Sequence, residues 1–198
     1  MIHRRIVFVA CCLLAVAAVA QVSTAPPQTE QVETGFANLP GRPQVAYQIR
    51  LLPVSSFPQL PPSVAQQLDR LGCMIPQTYE AHGPENVIHG SFEKKGSSDW
   101  AALCSVKGVT TLYVFFQSNP SDPIALRHQP DSEWVGHDWS SDPALDYGSA
   151  WGISTQPLRL MRPTDNANHD GIQDAFVEQS SVVHYFMNGH WTTIDSSP

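Results

Sequence analysis

Three runs of β-branched and aromatic residues, at 87–92, 100–106 and 110–116, are separated by turn-forming stretches at 93–99 and at Lys107-Gly108. This spacing predicts an antiparallel meander. A second set of strands is expected at 158–161, 175–178, 182–187 and 191–194, with Asn188-Gly189 as a strong hairpin signal between the last two. Upstream, 45–51 alternates well enough for a first strand. Pro61-Pro62 then opens a short helix with Val64, Leu68 and Leu71 on one face and Gly72 where it should stop. Residues 117–149 carry Pro120, Pro123, Pro130 and Pro143 among scattered polar residues and read as one long irregular loop. The expected fold class is mainly β (α+β), with antiparallel meanders in two related units and one short N-terminal helix.

The N-terminus changes the picture of where this fold works. Met1-Ile2-His3-Arg4-Arg5, the apolar run from Ile6 to Val19 and Ala18-Val19-Ala20 together match a secretory signal peptide at 1–20. The run is shorter than the about 20 apolar residues a spanning helix needs. Nothing later is longer, so no membrane span is expected in the mature chain. Residues 21–43, rich in Pro, Gln, Thr and Glu, read as a flexible leader. A single β-rich domain is expected over 44–198. The protein is expected to be exported, periplasmic or extracellular, after cleavage near Ala20.

Cleavage leaves Cys73 and Cys104 as the only cysteines, an even pair in an oxidising compartment, and a disulfide between them is expected. It would clamp the helix end to the strand that holds Cys104. Removing Arg4 and Arg5 takes the formal charge from −7 to −9. That balance disfavours nucleic acid, which needs clustered Lys and Arg, and suits a basic partner.

One internal similarity carries possible chemistry. Gly96-Ser97-Ser98-Asp99 and Gly171-Ile172-Gln173-Asp174 repeat a G-x-x-D turn 75 positions apart, each beside a strand-like run. The second copy, Asn166-Ala167-Asn168-His169-Asp170-Gly171-Ile172-Gln173-Asp174, resembles the calcium loop of FG-GAP/VCBS-like (integrin-type β-propeller) repeats. The resemblance implies Ca²⁺ held by side-chain oxygens of Asn166, Asn168, Asp170 and Asp174 and by the Ile172 carbonyl. In the first copy the matching positions are Ser91, Glu93 and Lys95, and an ammonium there argues against metal. Gly72-Cys73-Met74-Ile75-Pro76-Gln77, Asn86-Val87-Ile88 and Asp99-Trp100-Ala101 also look like a group of uncharacterised secreted bacterial proteins, which implies compartment and no activity.

Catalytic motifs are scarce. Ser91-Phe92-Glu93-Lys94 spells S-x-x-K, but the serine ends a strand and the companion elements of that enzyme class are missing. Trp134, Trp139 and Trp151 lie in or beside the irregular loop. They either form a binding surface for a sugar or peptide or pin the loop to the sheet. The expected function is a small, non-enzymatic binding or envelope-accessory domain whose partner is a protein or glycan. Two alternatives stay open: a hydrolase using the 117–149 loop, and a structural calcium-binding β module.

Overall fold

The computed structural model describes residues 28–137, 147–161 and 168–196. The expected signal peptide lies outside them. One sheet contains β1 (Gln31–Leu39), β2 (Arg42–Pro53), β3 (Met74–Pro76), β4 (Val87–Gly90), β5 (Asp99–Val106), β6 (Val109–Phe115) and β7 (Ile124–Pro130). Its order is β1-β2-β3-β5-β6-β7, and β4 shares with β3 the edge of β5 that faces away from β6. A two-residue ladder joins β8 (Val135–Gly136) to β9 (Gly148–Ser149). The second large sheet is a four-stranded meander of β10 (Trp151–Pro157), β11 (Asp170–Phe176), β12 (Ser180–Met187) and β13 (His190–Asp195). Helix α1 (Pro62–Leu71) follows β2, and the single turn α2 (Leu158–Met161) follows β10.

The layers follow from alternation along β5. Ala102 and Cys104 face a cluster with Val64 and Leu68 of α1, while Ala101 and Leu103 face Trp151, Ile153 and Ile172 of the second sheet. Covering both faces of β5 explains its near-continuous apolar sequence. Helix α1 buries Val64 and Leu68 and ends at Gly72, whose φ of 77° is the left-handed cap expected from the sequence. The Cys73–Cys104 disulfide is formed, and it ties that helix end to β5. Asn188 and Gly189, with φ of 53° and 83°, make the hairpin turn between β12 and β13.

Four expectations need correction. Residues 31–39, assigned to the flexible leader, form β1 and pair with β2 from Gln31↔Leu51 to Leu39↔Arg42. Most β1 side chains are exposed, so the strand is held by its backbone ladder and has little hydrophobic pattern to read. The loop at 117–149 contains β7, an edge strand whose last residue is Pro130; proline is tolerated there because the outer edge needs no ladder donor. Leu158–Met161, expected as a strand, is a helical turn in which Leu158 is buried and Leu160 exposed; the strand at this point is β10, which ends at Pro157 just before it.

The fourth correction concerns the repeated turn. Gly96 has a φ of 77° in the loop before β5, whereas Gly171 lies inside β11 opposite Gln156. A Cβ at Gly171 would sit 2.6 Å from Val183 Cγ1 and 2.9 Å from the His184 carbonyl oxygen. One glycine serves a reversal and the other a close strand approach, so the two G-x-x-D stretches do not share a backbone shape.

The disulfide closes a loop with a sequence separation of 31. In the chain-entropy account that contributes about 3–4 kcal/mol. Reducing it, or replacing both cysteines by serine, should lower stability by about that amount in equilibrium urea unfolding.

Candidate functional site

A cleft of about 790 Å³ opens beside the tip of the β1–β2 hairpin. Phe36, Asn38, Leu39 and Arg42 of the hairpin form one side. Tyr79, Gly136, His137, Tyr147 and Phe176 form the other, and Glu133 also lines the cleft. Backbone bonds fix this arrangement: Gln48 N–H donates to the Tyr147 carbonyl at 2.8 Å, and Tyr79 N–H to the Ser149 carbonyl at 2.9 Å. Gly136 permits the contact between layers, because a Cβ there would lie 2.9 Å from Ala150 Cβ and 3.1 Å from the Tyr79 ring. Arg42 Nη1 donates to the Tyr147 hydroxyl at 2.8 Å across the cleft. The His137 ring meets Tyr147 edge-on with centroids 4.6 Å apart. Flat aromatic walls with a few convergent polar groups are the ordinary composition of a ligand site.

Behind this cleft the hairpin meets the turn at Asp131–Glu133. Asp131 is buried; its Oδ2 accepts from Ser105 Oγ at 2.6 Å and its N–H donates to the Gly108 carbonyl at 2.9 Å. Glu33 Oε1 accepts from the Tyr47 hydroxyl at 3.2 Å. Burial, and then the neighbouring Asp131 carboxylate, push the Glu33 carboxyl above its ordinary range. Burial and the Glu33 carboxylate push the Tyr47 phenol up to about 12.

The residues singled out from the sequence are distributed differently. Trp134 and Trp151 are buried and stack on one another with centroids 4.7 Å apart, so they pin the loop and offer no open binding face. Trp139 lies outside the described residues, as does Asn166. Asn168 is exposed. Asp170 Oδ2 accepts the Ser91 N–H at 2.9 Å, and Ile172 is buried within β11.

Asp174 is buried and committed elsewhere. Its Oδ1 accepts from Trp151 Nε1 at 2.7 Å, while its Oδ2 lies 2.8 Å from His184 Nε2 and 3.2 Å from Arg127 Nη1. Asp170 and Asp174 are four residues apart on one strand, hence about 13 Å apart at the usual strand rise. Ligands of one Ca²⁺ lie within about 5 Å of each other. The structure therefore does not bring Asp170 and Asp174 to one ion, and no cluster of three or more His, Cys, Asp or Glu suited to a metal occurs among the described residues. Within 117–137, Asp131 and His137 face different surroundings, the first Ser105 and the second Tyr147.

Phe36, Arg42 and Tyr147 were not found from the sequence. The available signal was Pro40-Gly41, a turn dipeptide that marks the hairpin. No family model, curated protein or solved structure matches this chain.

The Asp174 network bridges the sheets, since Arg127 belongs to β7 and the other members to β10, β11 and β12. Arg127 also lies 4.5 Å from the centroid of Trp134. Replacing Asp174 by Ala leaves an indole N–H and a guanidinium without their acceptor and should cost about 3–5 kcal/mol in urea unfolding. A loss below about 1 kcal/mol would show that the network is dispensable.

Proposed function

We propose that this chain is a non-enzymatic binding domain that takes an extended peptide segment of a partner protein along the outer edge of β1. One partner side chain would enter the aromatic cleft beside the hairpin tip. The observation that carries this reading is the continuity of the two features. Strand β1 pairs with β2 alone among the described residues, exposes Val32 and Phe36, and runs directly into the cleft that Phe36 lines. An unpaired edge offers backbone donors and acceptors for strand addition, and a pocket beside it selects a side chain. Nothing on β1 blunts the edge with lysine or proline.

Charge favours a basic segment. The formal charge of −9 after removal of residues 1–20 would steer such a partner, and Glu133 stands at the cleft. The leader motif and the Cys73–Cys104 disulfide support an exported setting, periplasmic or extracellular, in which the partner is an envelope or secreted protein. No helix among the described residues is long and apolar enough to cross a membrane.

A random-peptide display selection on the wild-type domain, counter-selected with Phe36→Asp, tests this. Enriched peptides should be basic with one large apolar residue, and Phe36→Asp or Tyr147→Ala should weaken them about tenfold or more. Failure to enrich any sequence, peptides that bind both proteins equally, or self-association through β1 in sedimentation would sink the proposal.

A further inference from the structure

The acid pair behind the cleft has an unexplained atom. Asp131 is 4% exposed, and while Ser105 satisfies its Oδ2, its Oδ1 has no hydrogen-bond donor. A buried carboxylate oxygen left unsatisfied is costly, so a donor should be close by. Glu33 is the acid that neighbours it, on the strand that packs against the turn at 131–133. Its Oε1 lies 3.7 Å from where a Cβ on Gly108 would be, and the carbonyl of that same glycine holds the Asp131 N–H.

We propose that Glu33 and Asp131 share one proton, and that this proton holds the β1–β2 hairpin against the turn at 131–133. The shared proton makes Glu33 the missing donor to Asp131. Loss of the proton to water leaves two carboxylates facing one another, one of them buried, and the repulsion acts between β1 and the turn. Phe36 on the same strand and Glu133 on the same turn both line the cleft. The cleft therefore keeps its shape while the pair is singly ionised and loosens when both acids are charged.

Tyr47 of β2 donates to Glu33, Ser105 of β5 donates to Asp131, and Lys107 at the β5–β6 turn lines the hollow of about 680 Å³ that Glu33 also lines. Tyr47 stays protonated through the neutral range, with its phenol pushed up to about 12. The raised Glu33 carboxyl agrees with this picture, and burial and Asp131 outweigh the Tyr47 hydrogen bond that acts in the opposite direction. The sign follows. For an acid raised in the folded state, the stabilisation is complete below its unfolded pKa of about 4.3 and is lost as pH rises through the folded value.

The consequence for ligand binding rests on the cleft reading above, but the pair itself is measured without a ligand. Hydrogen exchange of the β1 amides, corrected for intrinsic rates, should show protection falling by up to about tenfold per pH unit as Glu33 ionises. In Glu33→Gln the side-chain amide donates to Asp131 at every pH, so protection should stay flat. Carboxyl ¹³C titration of the wild-type protein should show Glu33 titrating above its ordinary value. That measurement stands alone if the variant fails to fold. Wild-type protection that does not change with pH, an equal slope in Glu33→Gln, or Glu33 titrating at its ordinary value would each overturn the proposal. A display-selected peptide that binds with no pH dependence would remove the regulation and leave the binding reading intact. Titration as described with no selectable peptide would do the reverse.

Discussion

Strand β5 is buried on both faces, and the layered arrangement depends on that constraint. A strand with solvent on neither side needs a cover for each face. Helix α1 supplies one, fixed at its end by the Cys73–Cys104 bond, and the β10–β13 meander supplies the other. Strand β6 shares the arrangement: Leu112 and Val114 face the second sheet, and Phe115 faces the helix side. Apolar area removed from water at these two strands contributes to both core clusters, and burial of such area is favourable.

The interface between the sheets is not purely apolar. Asp174 enters it as a fully desolvated carboxylate and is satisfied by the Trp151 indole, with His184 and Arg127 in contact. A buried charge of this kind contributes little net stability when compared with a well-packed apolar substitute. Its geometric demands are strict, however. Three partners from three strands must converge on one carboxyl group, and the Arg127 guanidinium must lie over the Trp134 ring. The network thereby specifies how the second sheet sits on the first.

The β1–β2 hairpin is attached differently from the rest. Beyond Leu51 its inner face packs Ala37, Tyr47 and Ile49 against Val135 and Tyr147, a smaller cluster at the periphery of the main core. The polar contacts there, Arg42 with Tyr147 and Glu33 with Tyr47, involve groups that are only part-buried. Elements held by few buried contacts and by titratable groups belong to the low-stability end of a structure. The most readily altered part of this domain is therefore the part that forms one wall of its cleft.

The sequence by itself determined the strands that bury a face. At β5, β6, β12 and β13 the periodicity, Lys107-Gly108 and Asn188-Gly189 all point to antiparallel pairing, because side-chain alternation and turn chemistry are local properties. The helix with its glycine cap and the cysteine pair were legible for the same reason. Only the tertiary structure decided the rest. Strand β1 is stabilised by a ladder to residues that come later in the chain, and backbone pairing leaves almost no trace in side-chain pattern. Two stretches that share the G-x-x-D pattern became a reversal and a strand interior, because Val183 and His184 of the neighbouring strand close on Gly171. The cleft was illegible because Phe36, Tyr79, Gly136 and Tyr147 come from separate parts of the chain, and no local spacing encodes their convergence.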